Sequence, residues 1–156
     1  RLSGLAAARS SLAVPIEIQT LGAKGLRYRS RLPKARTRDW THLDAVPAPV
    51  LADTCGAGDW CTAGILYRIG ARGAVGLNKV SGTELRDALR FGQALASWSC
   101  GFEGARGGMY RTDKATFQEQ VRRMLRGNLE NRSNTDTVDE QLPSTLIPCP
   151  ACSPSR

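Results

Sequence analysis

The sequence predicts an α/β domain, a mainly parallel sheet with helices on both faces, over residues 1–127, followed by a disordered tail over residues 128–156. Three observations predict it. VPIEIQTL, residues 14–21, alternates apolar Val14, Ile16 and Ile18 with polar Glu17 and Gln19, the period of two of a strand. The segments from about 57 and 81 repeat apolar residues at the helical spacing. DTCGAGD, residues 53–59, puts a glycine-rich turn where the first of those helices starts. Strands joined through helices by right-handed crossovers leave helices on both faces of a sheet.

In chain order, residues 1–12 are rich in Ala, Ser and Leu and read as the end of a helix. The strand 14–21 follows. Central strands of parallel sheets are apolar throughout, and this one is not, which puts it toward an edge or leaves one side without cover. Gly22 and Gly25 bracket a tight turn, and GLRYRSR is a second short strand. Residues 30–49 carry Pro33, Pro47 and Pro49 and read as irregular loops with one or two short strands. A helix is predicted from Ala57 to about Ile69, ending at Gly70. The next begins near Ser81, which forms a capping box with Glu84, and presents Leu85, Ala88, Leu89, Gly92, Leu95 and Ala96 on one face. CGFEGARGG is a glycine-rich loop. A third helix places Phe117, Val121, Met124 and Leu125 on one face and is expected to stop at Gly127. Beyond it aromatic residues vanish and Pro143, Pro148, Pro150 and Pro154 appear, a composition that buries too little apolar surface to offset the entropy of ordering.

Composition narrows the function. The chain has 156 residues, enough for one modest domain, with 41% hydrophobic and 23% charged residues. No stretch approaches eighteen consecutive apolar residues and no signal peptide is visible, so no membrane association is expected and the cytoplasm is the expected compartment. Arg1, in place of Met, is what a fragment or a processed product shows. Five scattered cysteines, 55, 61, 100, 149 and 152, suit free thiols in a reducing compartment better than a disulfide framework. Cys149 and Cys152 have half the spacing of a zinc site, with no second pair beside them. The net charge of +8 favours polyanionic partners. Its densest run, Arg27, Arg29, Arg31, Lys34, Arg36 and Arg38 with Tyr28 and Trp40, has the make-up of a nucleic-acid grip. The same residues suit a solvated hairpin edge, where charge blocks aggregation. No nucleic-acid signature accompanies them, and nucleic acid is not the expected partner.

DTCGAGD carries the chemistry. Gly56 and Gly58 allow a sharp turn and close approach of backbone to a ligand. The first turn of a helix leaves amides unpaired and its dipole favours negative charge, so the amides of residues 55–58 can cradle an anionic oxygen. An acid in that place repels a phosphate unless it faces a hydroxyl and takes its proton while the amides hold the transferring group. Asp59 as a mere complement to the dipole explains Asp59 alone, not the glycines together with Asp53.

DTCGAGDWCTAGIL resembles the second signature of the ribokinase-like (PfkB) carbohydrate kinases. TLGAKG, residues 20–25, is similar to that family's nucleotide-contacting turn. LRFGQALASWSCGFEGARGG is similar to its later helix and loop. In order and spacing the resemblance covers residues 12–126. It implies the ribokinase-like three-layer fold, present as its C-terminal part. It implies ATP-dependent phosphorylation of a sugar or nucleoside hydroxyl, with Asp59 as the base and Gly56, Ala57 and Gly58 as the anion hole. Thr20, Gly22 and Gly25 then match the turn under the phosphates and ribose of ATP, and Gln93 the residue beside the adenine. Asp53 and the carbonyls of Cys55 and Gly104 match a site for a monovalent cation such as K+, and Mg2+ arrives with ATP. Cys61, Ala63 and Trp60 depart from the usual Phe, Gly and small residue. The resemblance leaves the sugar pocket to an N-terminal half that is missing here. That half is the implied partner, a homodimer is one form of assembly, and the fragment is expected to be inactive alone. The rival expectation is a non-catalytic, nucleotide-binding or regulatory module of the same fold.

Overall fold

A computed structural model of the chain describes residues 14–71 and 73–133. The expected helix at residues 1–12, the Cys149–Cys152 pair and the tail beyond residue 133 lie outside the described residues.

Strand β1, Ile16–Thr20, turns back through residues 21–25 into β2, Leu26–Ser30, and β3, Thr41–Leu43, pairs on the far side of β2. Both pairings are antiparallel, with Ile18 opposite Tyr28 and Tyr28 opposite Thr41. The turn is one short 3-10 segment, Gly22–Lys24, closed by hydrogen bonds from the Leu21 amide to the Gly25 carbonyl (2.7 Å) and from the Gly25 amide to that of Gly22 (3.0 Å). Gly25 is required there: its φ is +87°, and a β-carbon on it would run into the Leu43 carbonyl and sit 2.6 Å from the Ala45 nitrogen.

The mainly parallel sheet expected from the sequence is not seen among the described residues. A connection this short joins antiparallel neighbours only, since a parallel pair needs a crossover of about a dozen residues or more. Among the described residues, helices cover one face only. One face carries Leu26, Tyr28 and Ser30, all buried under the helices. The other is polar: Glu17 pairs with Arg29 across the strands (2.7 Å), and Arg27 donates through Nε to Gln19 Oε1 (2.7 Å). Trp40 lies beneath both guanidinium groups, 4.8 and 5.1 Å from its ring centre. Two members of the basic run are thus spent on the sheet's own surface. Among the described residues β1 is the outer strand on its side, and Ile18 on its inner side stays 38% exposed.

Helix α1, Ala57–Ile69, and the short α2, Gly73–Leu77, lead into α3, Gly82–Ser99. The capping box forms as read, with the Glu84 amide donating to Ser81 Oγ (3.2 Å) and the Ser81 amide to Glu84 Oε2 (2.8 Å). Helices α1 and α3 cross on glycines: a β-carbon on Gly92 would stand 2.6 Å from the Cys61 carbonyl oxygen, and one on Gly64 would stand 3.0 Å from the Gly92 Cα. One core joins this helix pair to the sheet through Leu26, Leu43, Ile65, Leu85 and Leu89. A second joins the end of α3 to α5, Lys114–Ser133, around Trp98 and Val121, with Trp60 and Phe117 against them.

Two helices were not expected, α2 and α4, Gly107–Arg111; each is five residues long and lies in a glycine-rich stretch with little periodicity to read. The third predicted helix continues past Gly127 to Ser133. A glycine inside a helix costs about 1 kcal/mol relative to Ala, which stops a helix only where the chain also turns left-handed, and Gly127 is not among the positive-φ glycines. The boundary drawn between 127 and 128 therefore falls inside α5.

Candidate active site

The turn before α1 is built by Gly56, left-handed at φ +76° and without side chain to cap the helix. A β-carbon there would stand 2.5 Å from the Ala105 Cβ and 2.9 Å from its Cα, so only glycine lets the 100–106 loop lie against the helix start. Two further ties hold that loop. Asp53 accepts hydrogen bonds from the Cys55 amide at Oδ1 (2.9 Å) and the Gly104 amide at Oδ2 (2.9 Å). Trp60 donates through Nε1 to the Ala105 carbonyl (2.8 Å). The chain before the turn adds hydrogen bonds donated by the Ala52 and Asp53 amides to the Cys100 carbonyl (2.7 and 3.2 Å). The amides of Cys55 and Gly104, in that order, hold the Asp53 carboxyl below its ordinary value of 3.8, because they stabilise its charged form.

Asp59 is exposed in the first turn of α1 and lines an open cleft of about 340 Å3 with Gly56, Trp60, Ala63, Ala105, Arg106 and Met109. Gly58 has no heavy atom within 4 Å of where a β-carbon would stand. The helix start is more selective as an anion cradle than the sequence suggested. The Cys55 amide is spent on Asp53, and the Ala57 amide donates to the Thr54 carbonyl (3.2 Å). The amide of Gly58, at the second helical position, has no intrahelical acceptor and remains available.

The structure brings Asp53, Cys55 and Gly104 together, through amide-to-carboxylate bonds. The Gly104 carbonyl meanwhile accepts from the Gly107 amide (3.2 Å). It places the predicted nucleotide residues elsewhere. Thr20 ends β1 and is exposed, as is Gly22 in the turn. Gly25 is buried against residues 43–45, and Gln93 is buried with its Nε2 donating to the Leu43 carbonyl (3.3 Å). Gly25 and Gln93 thus meet at Leu43, and none of the four lines the Asp59 cleft. Gln93 Oε1 is buried without a hydrogen-bond partner.

Sequence reasoning singled out the 100–108 loop as a whole but gave no role to Ala105, Arg106 or Met109. Trp60 stood out only as bulky; its indole both packs on Trp98 (ring centres 5.3 Å apart) and fixes the carbonyl of Ala105. Arg106 and Met109 carried no spacing signal. Burial pushes the thiols of Cys61 and Cys100 up, the latter also through the charge of Asp53, so both stay protonated and inert. A second cavity of about 240 Å3, lined by Arg68, Val80, Glu84 and Asp87 among others, lies at the opposite end of α1 and contains no predicted site residue. Among the described residues no helix is long and apolar enough to cross a membrane.

Comparison with known proteins gives the family and the fold. The family model for pfkB carbohydrate kinases matches residues 5–112. Ketohexokinase from Mus musculus is 35% identical over 63 residues, which are 40% of this chain and 18% of that protein. Two solved structures share the fold. A double mutant of fructokinase from Vibrio cholerae O395, with fructose, ADP and potassium ion bound, superposes with a TM-score of 0.53 at 21% identity, over 77% of this chain and 33% of that one. Ribokinase from Arabidopsis thaliana, complexed with ribose and ATP, gives 0.51 at 24% identity, over 80% of this chain and 33% of that one. The chain spans about a third of each solved relative and less than a fifth of ketohexokinase.

Proposed function

The chain belongs to the pfkB family of carbohydrate kinases, and on that premise we propose that it carries the catalytic part of an enzyme that transfers a phosphoryl group from ATP to a hydroxyl of a sugar or nucleoside. One observation carries the reading: an exposed carboxylate, Asp59, shares an open cleft with a helix start whose Gly58 amide is unspent. Asp59 takes the proton of the acceptor hydroxyl. The hydroxyl oxygen forms its bond to the terminal phosphorus as the bond from that phosphorus to the bridging oxygen breaks, and ADP leaves with the electron pair. The Gly58 amide and the dipole of α1 receive the charge on the transferring group, with Gly56 and Ala57 shaping the turn.

The oxygens of Asp53, Cys55 and Gly104 suit a hard monovalent cation: the carboxylate stays charged, and an oxygen that accepts one amide keeps a lone pair. Asp53, Cys55 and Gly104 would hold such a cation against the loop and the helix start, and Mg2+ bound with the nucleotide would offset phosphate charge. Thr20, Gly22, Gly25 and Gln93 form the nucleotide side. The described strands form an antiparallel edge of a three-layer, mainly parallel sheet that continues beyond β1; antiparallel edges on parallel sheets are common. The pocket for the acceptor comes from sequence outside these 156 residues, and the chain by itself turns nothing over.

The test is acceptor-dependent ADP release, measured with a panel of sugars and nucleosides on the complete gene product and on the chain alone. Turnover by the complete product with at least one acceptor is expected, and none by the chain. ATP binding without turnover for any acceptor would favour a non-catalytic, nucleotide-binding module and reject the kinase.

A further inference from the structure

Arg106 and Asp59 line the same cleft, one on the loop side and one on the helix side, where Gly56 packs on Ala105. They form no ion pair with each other, and among the described residues neither pairs with any other charged group. Opposite charges that share a cleft without pairing leave both groups open to a ligand placed between them. The position of Arg106 is not left to a free loop. Its neighbours are held by the Gly104 amide on Asp53, by the Trp60 indole on Ala105, and by the contact between Ala105 and Gly56. The Met109 amide donates to the Arg106 carbonyl (2.9 Å), fixing its backbone as the cap of α4. The Arg106 side chain is exposed.

From this we infer that Arg106 grips the terminal phosphoryl group of the nucleotide, from the side opposite the Gly58 amide, while Asp59 faces the acceptor hydroxyl. The inference rests on the kinase reading for the nature of the ligand. It adds a phosphate-binding residue that the glycine turn does not supply. A guanidinium offers paired donors that match two oxygens of one phosphoryl group, and its charge offsets what Asp59 and the phosphate impose on the same small space. The wall of Trp60, Ala63 and Met109 is apolar and gives that group no other cationic partner.

Direct binding of ATP, ADP and adenosine by calorimetry tests it without turnover, on the full chain and its Arg106→Ala, Arg106→Lys and Arg36→Ala variants. Arg36 is exposed in the loop between β2 and β3, and its removal controls for the loss of one positive charge. Arg106→Ala is expected to weaken ATP by about 10-fold to 100-fold, the scale of hydrogen bonds to a charged group. ADP and adenosine keep their wild-type affinity. Arg106→Lys, with the charge but not the fork, falls between, and Arg36→Ala matches wild type. Unchanged ATP affinity in Arg106→Ala overturns the inference, as does an equal loss for ADP, or a wild-type protein that holds ATP no more tightly than ADP. The kinase reading fails separately. If ATP affinity depends on Arg106 but no acceptor draws ADP release, that reading falls and the contact stands. Turnover with wild-type ATP affinity in Arg106→Ala does the reverse.

Discussion

Gly56 and Gly58 sit two residues apart at the same helix start, and the structure assigns them opposite responses to a methyl group. Gly56→Ala forces an L-residue into the left-handed region at φ +76°, which costs about 1–2 kcal/mol. It also drives a β-carbon to 2.5 Å from that of Ala105, an overpacking worth about 1–3 kcal/mol. The loop cannot retreat cheaply, because Asp53 and Trp60 hold it on either side of Ala105. The expected loss is therefore about 2–5 kcal/mol. Gly58→Ala is helical and meets nothing within 4 Å, so it should gain about 0.5–1 kcal/mol from the lower backbone entropy of the unfolded chain. Its methyl group nevertheless stands beside the amide assigned to the phosphoryl group, and turnover should fall about tenfold or more. Urea unfolding followed by tryptophan fluorescence gives the stabilities, and acceptor-dependent ADP release gives the activities. Gly56→Ala within about 0.5 kcal/mol of wild type, the range of ordinary surface substitutions, would refute the packing argument. A fully active Gly58→Ala would refute the anion cradle.

Three other outcomes follow from the same geometry. The Asp53 carboxyl is depressed below 3.8 in the folded chain, so the stability it contributes is complete above that value and is lost as pH falls through the lower folded value; Asp113, held down chiefly by the Thr116 hydroxyl, adds the same sign. Unfolding midpoints measured from pH 5 downward should drop more steeply for wild type than for Asp53→Asn, and parallel curves would contradict the clamp. Activity should rise with potassium relative to choline at matched ionic strength, and equal rates in the two salts would reject the cation site at Asp53, Cys55 and Gly104. Gly92→Ala, whose β-carbon would stand 2.6 Å from the Cys61 carbonyl oxygen, should lower the melting temperature through overpacking of about 1–3 kcal/mol, a loss that helix propensity of about 1 kcal/mol only partly offsets.

What could be read from the sequence follows the range of the interaction concerned. The strand at 14–21, the capping box at Ser81 and the start and end of α1 are written in residues within a few positions of one another, and the structure has all of them. The strand directions depended on which partner each strand finds. The five-residue turn between β1 and β2 was visible, but the parallel expectation was applied over it. Charged Glu17, Arg27 and Arg29 on one sheet face were legible as alternation, but not which cross-strand partners they take. Gly127 looked like a helix end because the left-handed conformation that would make it one is invisible in sequence. At the site, the glycines and both aspartates were singled out by their spacing. The loop with Ala105 and Arg106 was legible as glycine-rich, but its contacts with Trp60 and Gly56 join residues about 45 positions apart, and no local pattern announces that pairing.

The central claim is that Asp59 removes a proton from the hydroxyl that receives the phosphoryl group. The most direct measurement is the turnover of Asp59→Asn beside wild type in the complete gene product, at saturating ATP and acceptor, with ATP affinity measured independently by calorimetry. The account predicts a loss of about 10²–10⁴ in kcat, the usual worth of a positioned base, with ATP affinity nearly unchanged. A variant that keeps more than half the wild-type rate contradicts it.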